Sequence, residues 1–197
     1  MDNYGVIEIP DWLTSTLASD ATGGAGAITG LSPLRPGQLV AGFASTVRVA
    51  PGDNADLRAA LGAGADAGRV LVVAGSADSD RAVIGDLMGR WIEGRGFRAI
   101  IIEGRVRDVA ELRTLKLQVW CAGVTPIASE KEGGGSVGGT IHIGGVEVAH
   151  GDVVVADDDG VVVWPAARAA ELLERARERL DRDRERAVRI AAGGDLD

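Results

Sequence analysis

Residues 70–109 read VLVVAGSADSDRAVIGDLMGRWIEGRGFRAIIIEGRVRDV, and their order of apolar runs and glycine breaks decides the fold. Val70-Leu71-Val72-Val73-Ala74 is a continuous apolar, β-branched run short enough for a buried strand. A turn over Gly75 to Asp80 leads into a predicted helix running to about Gly94, with Ile84, Leu87, Met88 and Trp91 on one face. Ala99-Ile100-Ile101-Ile102 is the next strand, and Glu103-Gly104 reads as the turn that follows it. Strand, helix, strand makes a right-handed βαβ unit with a parallel sheet, whose ligands gather at the carboxyl ends of the strands.

Working outward, Asp11 to Asp20 predicts a short helix stopped by Gly23-Gly24-Ala25-Gly26. Leu39 to Ala44 and Thr46 to Val49 read as strands, and Pro51-Gly52-Asp53-Asn54 turns the chain into a helix carrying Leu57, Ala60 and Leu61. After the central unit come a short helix with Val109, Leu112 and Leu115, and a strand from Leu117 to Trp120. A glycine-rich loop at 133–139 precedes short strands at Thr140 to Ile143, Val146 to Val148 and Val153 to Ala156, an antiparallel or mixed end to the sheet. Ala166 to Ala191 is one long charged helix with a narrow apolar stripe of Leu172, Leu173, Ala176 and Leu180. The expectation is one α/β domain over 1–197, a mixed sheet flanked by helices, with 166–191 as a C-terminal helix suited to a subunit contact.

Of the 197 residues, 46% are hydrophobic, enough for a sizeable core. A net charge of -8 repels polyphosphate backbones, so nucleic acid is not expected as a ligand. The single cysteine, Cys121, allows no internal disulfide and suits a reducing cytoplasm. The segment MDNYGVIEIPDWL lacks the basic and apolar blocks of a signal peptide, and no apolar run approaches the ~20 residues that span a bilayer. A cytoplasmic protein that engages no membrane is expected.

With only His142 and His150, a histidine-based triad or zinc site has little material. The run Gly62 to Gly68 precedes a strand, the wrong context for a dinucleotide fingerprint. Acid and arginine at the βα junctions are more telling. If the central helix begins near Gly85, the N–H groups of Leu87 and Met88 are free for an anion; a start at Asp80 would consume them. Arg107-Asp108, after the next strand, would reach the same crevice as Asp86. Oxygen ligands without histidine or thiolate favour Mg²⁺ or Mn²⁺. The same residues also fit a helix-start acid at Asp86 and a solvated ion pair at Arg107-Asp108. Asn54 suits a substrate hydrogen bond or a turn, Lys131 a distal carboxylate or solvent, and Asp157-Asp158-Asp159-Gly160 a turn between strands.

The chain resembles the RraA-like family, which includes 4-hydroxy-4-methyl-2-oxoglutarate aldolases and regulators of ribonuclease E activity. The resemblance is carried by Gly42 to Val47 (GFASTV), Gly52-Asp53-Asn54, Gly85-Asp86-Leu87, Gly104 to Val109 (GRVRDV), Gly123 to Pro126 (GVTP) and Gly151 to Val163 (GDVVVADDDGVVV). Its most specific part is Asp86 followed after twenty residues by Arg107-Asp108, the spacing of the aldolase and decarboxylase members. The resemblance implies a swivelling β/β/α sandwich and a class II, metal-dependent lyase that cleaves or decarboxylates a small 2-oxo diacid, such as oxaloacetate, through a pyruvate enolate. It implies that Asp108 is tied to the metal and Asp86 to a metal-bound water. Arg107 would meet the carboxylate and 2-oxo oxygen, with Leu87 and Met88 N–H groups on the carboxylate.

A homotrimer or hexamer with the site between subunits is also implied, completed in some aldolases by a C-terminal acid, for which Asp181, Asp183 and Glu185 are on offer. His150, the turn Ala74 to Ala77 and the bulky Trp91-Ile92-Glu93 depart from the family pattern. These departures raise a lyase for a larger 2-oxo acid in a specialised pathway as a related expectation. A non-catalytic, protein-binding inhibitor of ribonuclease E is the alternative of a different class.

Overall fold

A computed structural model describes residues 8–63 and 67–195. The first seven residues of the N-terminal segment, and Gly64 to Asp66 within the glycine run, lie outside the described residues. The elements follow in order: α1 (Ser15–Thr22), β1 (Ala27–Ile28), β2 (Ser32–Pro33), β3 (Val40–Arg48), α2 (Ala55–Gly62), β4 (Val70–Ala74), β5 (Ala82–Ile84), α3 (Asp86–Gly94) and β6 (Ala99–Val106). Then come α4 (Val109–Leu112), β7 (Gln118–Val124), β8 (Ser136–Val137), β9 (Thr140–Ile143), β10 (Val146–Ala149), β11 (Val153–Ala156) and β12 (Val161–Trp164). A 3₁₀ turn (Ala166–Arg168) leads into α5 (Ala169–Ala191).

The main sheet runs β1-β12-β11-β3-β4-β6-β7-β2, with β5 added to β6 and β8 to β3. β3, β4, β6 and β7 are parallel neighbours, whereas β11 pairs antiparallel with both β3 and β12, so the sheet is mixed as expected. The β9-β10 hairpin stands apart from it. Alternation along β4 and β6 separates the layers. Leu71, Val73, Ile100 and Ile102 pack under α2, α3 and α4 with Leu57, Leu61, Ile92 and Leu112. Val70, Val72, Ala99 and Ile101 face the hairpin and the β11-β12 arm with Ile141, Ile143, Val148 and Val154. A third cluster seats α1 and the first half of α5 on β11 and β12 through Leu13, Leu17, Trp164, Leu172 and Ala176. This is the β/β/α sandwich with its long C-terminal helix.

Several local expectations are corrected. Ala82 to Ile84 is not the first turn of a helix but a strand, since Val83 and Ile84 are β-branched and fully buried, and Ala82 and Ile84 pair parallel with Arg105 and Val106 of β6. Glu103-Gly104 does not turn: β6 runs on to Val106 through a register shift between Ile102 and Arg105. Leu115 lies beyond α4, which ends at Leu112. The two strands read at 39–49 are one, β3, and part of the 133–139 loop pairs with it as β8. Cys121 is buried in the helix-side core. No helix among the described residues is long and apolar enough to cross a membrane.

Candidate active site at the start of the central helix

Because β5 carries the chain to Ile84, α3 begins at Asp86, with Gly85 in the N-cap position and no side chain capping it. The first intrahelical bond runs from the Gly89 N–H to the Gly85 carbonyl at 2.9 Å. The N–H groups of Leu87 and Met88 lie ahead of it and have no acceptor within the helix. They add to the positive end of the helix dipole an open pair of donors.

The end of β6 is brought against this open turn by backbone pairing. The Arg107 N–H donates to the Ile84 carbonyl at 3.0 Å, and the Thr125 N–H donates to the Val106 carbonyl at 3.0 Å. The chain then turns through Asp108, the one non-glycine residue with positive φ among the described residues (φ 56°, ψ 46°). A left-handed backbone costs a non-glycine residue on the order of 1 kcal/mol, and here it aims the carboxylate back at α3. Asp108 Oδ2 accepts from the Asp86 N–H at 3.2 Å and lies 3.5 Å from Arg107 Nε. The fit is possible only because residue 85 has no side chain: a Cβ there would stand 2.3 Å from Asp108 Oδ2 and 3.0 Å from Arg107 Cγ. Asp86 points its carboxylate toward Arg90 of the next turn, at 4.0 Å.

These residues line one cavity of about 380 Å³ whose walls also include Asn54, Arg58, Trp91 and Lys131. All the residues named from sequence as substrate- or metal-binding, Asn54, Asp86, Leu87, Met88, Arg107 and Asp108, therefore share it. Asn54 is not a turn-forming Asn. Its Nδ2 donates to the Val83 carbonyl at 2.9 Å, and its Oδ1, in a residue only 6% exposed, has no partner among the described residues. An orphaned buried acceptor at a pocket wall calls for a hydroxyl or water.

The turn role belongs instead to Asp53. Its carboxylate accepts from the Ala55 N–H at 2.6 Å and from the Glu132 N–H, tying α2 to the loop that carries Lys131. Burial pushes the Asp53 carboxyl up, but the backbone N–H groups of Ala55, Glu132, Gly133 and Asn54 outweigh it and hold the group below the usual carboxylate range.

Arg58 and the indole of Trp91 were not singled out as pocket residues by sequence. Arg58 sits one helical turn beyond Asn54, and that i, i+4 spacing was the available signal. Elsewhere, His142 faces Glu147 at 3.7 Å on the hairpin. Asp157 and Asp158 accept from Ser15 and from the Gly37 N–H, as residues of a structural turn. On α5, Asp181 and Asp183 are held by Arg177 and Arg179 of the same helix, at 3.3 and 2.9 Å.

Residues 14–163 match the family model RraA-like, described as Aldolase/RraA. The chain belongs to the RraA-like family. A candidate 4-hydroxy-4-methyl-2-oxoglutarate aldolase of Halalkalibacterium halodurans is 34% identical over 163 residues, covering 82% of this chain and 77% of that protein. The crystal structure of Streptomyces coelicolor RraAS2, described as an unusual member of the RNase ES inhibitor RraA protein family, superposes with a TM-score of 0.82 at 28% identity. It covers 90% of this chain and 93% of that one. The RNA-processing inhibitor RraA of Thermus thermophilus superposes at 0.69 with 31% identity, covering 81% and 94%. The RraA-like family thus spans relatives named as aldolases and relatives named as inhibitors, and the pocket has to decide between them.

Proposed function

We propose that this RraA-like chain is a divalent-metal-dependent lyase that cleaves or decarboxylates a small 2-oxo diacid, with oxaloacetate and 4-hydroxy-4-methyl-2-oxoglutarate as type substrates. The observation that carries the reading is the contact across Gly85, which sets Arg107 and Asp108 against the open N–H groups of α3.

Among the described residues no group of three or more His, Cys, Asp or Glu converges on one point, so a metal would rest on few protein ligands. Two hard carboxylates with the other positions left to water suit Mg²⁺ or Mn²⁺, which keep much of their hydration. Asp108 and Asp86 are the residues that would hold it. When bound, such an ion withdraws electrons from the 2-oxo group.

The chain's own groups do the rest. The Leu87 and Met88 N–H groups receive the substrate carboxylate, and Arg107 adds a fixed cation beside the 2-oxo oxygen. Asn54 Oδ1 accepts from a substrate hydroxyl or a water. In the retro-aldol direction the C3–C4 bond breaks, the 4-hydroxyl gives up its proton, and the bonding pair stays on the pyruvate fragment as an enolate. That enolate is then protonated at C3. In decarboxylation of oxaloacetate the bond to the 4-carboxylate breaks, CO₂ leaves, and the same enolate remains. One site serves both reactions because Arg107 and the helix donors hold the half of the substrate that the two share.

A second reading, a non-catalytic protein that binds and inhibits a ribonuclease E-type nuclease, is favoured by the solved relatives, two of which are described as inhibitors. The structural comparisons weigh toward this second reading, while the pocket chemistry carries the first. Purified protein assayed for pyruvate release from oxaloacetate with Mg²⁺, beside a pull-down with ribonuclease E, tests both. Pyruvate release without retention of the nuclease supports the lyase. Retention without pyruvate release replaces it with the inhibitor.

A further inference from the structure

The pocket is larger and more cationic than a pyruvate unit requires. Within about 380 Å³ it presents Arg58, Lys131 and Arg107 against Asp86 and Asp108. Arg107 is already beside Asp108, whereas among the described residues neither Arg58 nor Lys131 lies within ion-pair distance of a carboxylate. Arg58 comes from α2 and reaches over the Trp91 ring, its guanidinium carbon 5.9 Å from the ring centre, within cation–π range. Trp91 is half-buried and lies three and four residues beyond Met88 and Leu87, on the same side of α3. Arg58 and Trp91 line the same cavity as Leu87 and Met88, so a ligand whose carboxylate is seated on the Leu87 and Met88 N–H groups can extend toward them.

Resting on the lyase reading, we propose that Arg58 and Trp91 form a specificity-determining subsite for the far end of the substrate. The ligand class is a 2-oxo acid with a second carboxylate set beyond an apolar segment of two or more carbons. Trp91 flanks the apolar segment, and the Arg58 guanidinium beside it offers its N–H groups for a two-point contact with the distal carboxylate. Oxaloacetate, whose second carboxylate is too close to the first, does not reach this subsite.

Calorimetric titration with pyruvate and with 2-oxoheptanedioate, both with Mg²⁺ present, tests the proposal on wild type, Arg58→Ala, Arg58→Lys and Trp91→Phe. Arg58 is exposed, so its replacement leaves the fold intact, and melting curves check this. The wild type binds 2-oxoheptanedioate roughly tenfold or more tighter than pyruvate, a charge-assisted contact's worth. Arg58→Ala abolishes that preference with pyruvate affinity unchanged. Arg58→Lys restores part of it, and Trp91→Phe, which keeps an aromatic face, most of it. Equal wild-type affinity for the two ligands, or an Arg58→Ala loss shared by pyruvate, overturns the subsite while leaving the lyase reading in place. Failure of pyruvate itself to bind overturns the lyase reading, and the subsite with it.

Discussion

Replacing Gly85 with alanine adds one carbon at the point where the candidate site is assembled. The backbone there (φ −133°, ψ −164°) is extended and open to any residue, so the substitution carries no conformational strain and acts through sterics alone. The new Cβ would stand 2.3 Å from Asp108 Oδ2, 3.0 Å from Arg107 Cγ and 3.1 Å from Arg107 Nε. Carbon and oxygen settle at roughly 3.3 Å or more, so the carboxylate must retreat by about 1 Å. That retreat breaks its 3.2 Å bond from the Asp86 N–H and its 3.5 Å approach to Arg107. Displacement of a reacting constellation by about 1 Å costs on the order of 100-fold in rate. The stability cost is small by comparison. Asp108 and Arg107 are more than a third exposed and can swing outward, so about 1 kcal/mol or less is expected, the low end for an overpacked site. Pyruvate release coupled to a lactate dehydrogenase readout, with a melting curve on the same sample, separates the two effects. A variant that melts near wild type and has lost about two orders of magnitude in kcat/KM agrees with the geometry. Wild-type activity in Gly85→Ala would refute the claim that Asp108 and Arg107 work from the positions described.

Asp108→Gly and Asp108→Ala should both lack lyase activity, yet the glycine variant should melt higher, by the equivalent of about 1 kcal/mol, because alanine keeps the left-handed strain that glycine relieves. Equal melting of the two would show that the backbone at residue 108 is not strained. The Asp53 carboxyl is held below its ordinary value in the folded chain, so on acidification the unfolded chain takes up the proton first. Its contribution is therefore complete above the ordinary carboxylate range and is lost as pH falls through the folded value. Asp53→Asn should lower stability at neutral pH by about 1–3 kcal/mol and flatten the melting-temperature profile below about pH 5; a profile parallel to wild type would contradict this. Ile101→Ala, fully buried on β6 between the sheet and the hairpin layer, should cost about 2–5 kcal/mol in urea unfolding, and a loss below about 1 kcal/mol would mean that this core is loosely packed.

The central unit is legible because its strands are continuous apolar, largely β-branched runs that suit a buried parallel sheet, whereas the sequence admits a start for α3 at either Asp80 or Gly85 and the pairing of β5 decides it. What could not be read was how the carboxyl ends are filled in. Val83-Ile84 looked helical because Ile84 falls in phase with Leu87 and Trp91, yet pairing with β6 outweighs that periodicity. Gly104 looked like a turn but is a strand residue whose missing side chain makes room for Ser76 and Val83, 3.0 and 3.1 Å from where its Cβ would be. Such close approach is tertiary, and no local pattern announces it. For the candidate site, the βα junctions bring Asp86, Arg107 and Asp108 to one crevice and the family resemblance singles out their spacing, whereas the left-handed turn at Asp108 and the orphaned Oδ1 of Asn54 have no local signal. Arg58 and Lys131 enter the pocket on separate segments, one on α2 and one on a loop strapped down by Asp53, and only the folded chain brings them together.

The most direct test of the account is pyruvate release from oxaloacetate by the purified chain, measured with Mg²⁺, with excess chelator, and again with Mg²⁺ for Arg107→Lys. Turnover is expected with Mg²⁺, with loss on chelation, recovery when the ion is restored, and a deep loss in Arg107→Lys, because a lysine keeps the charge but not the planar fork. Turnover that ignores both the chelator and the arginine would contradict it.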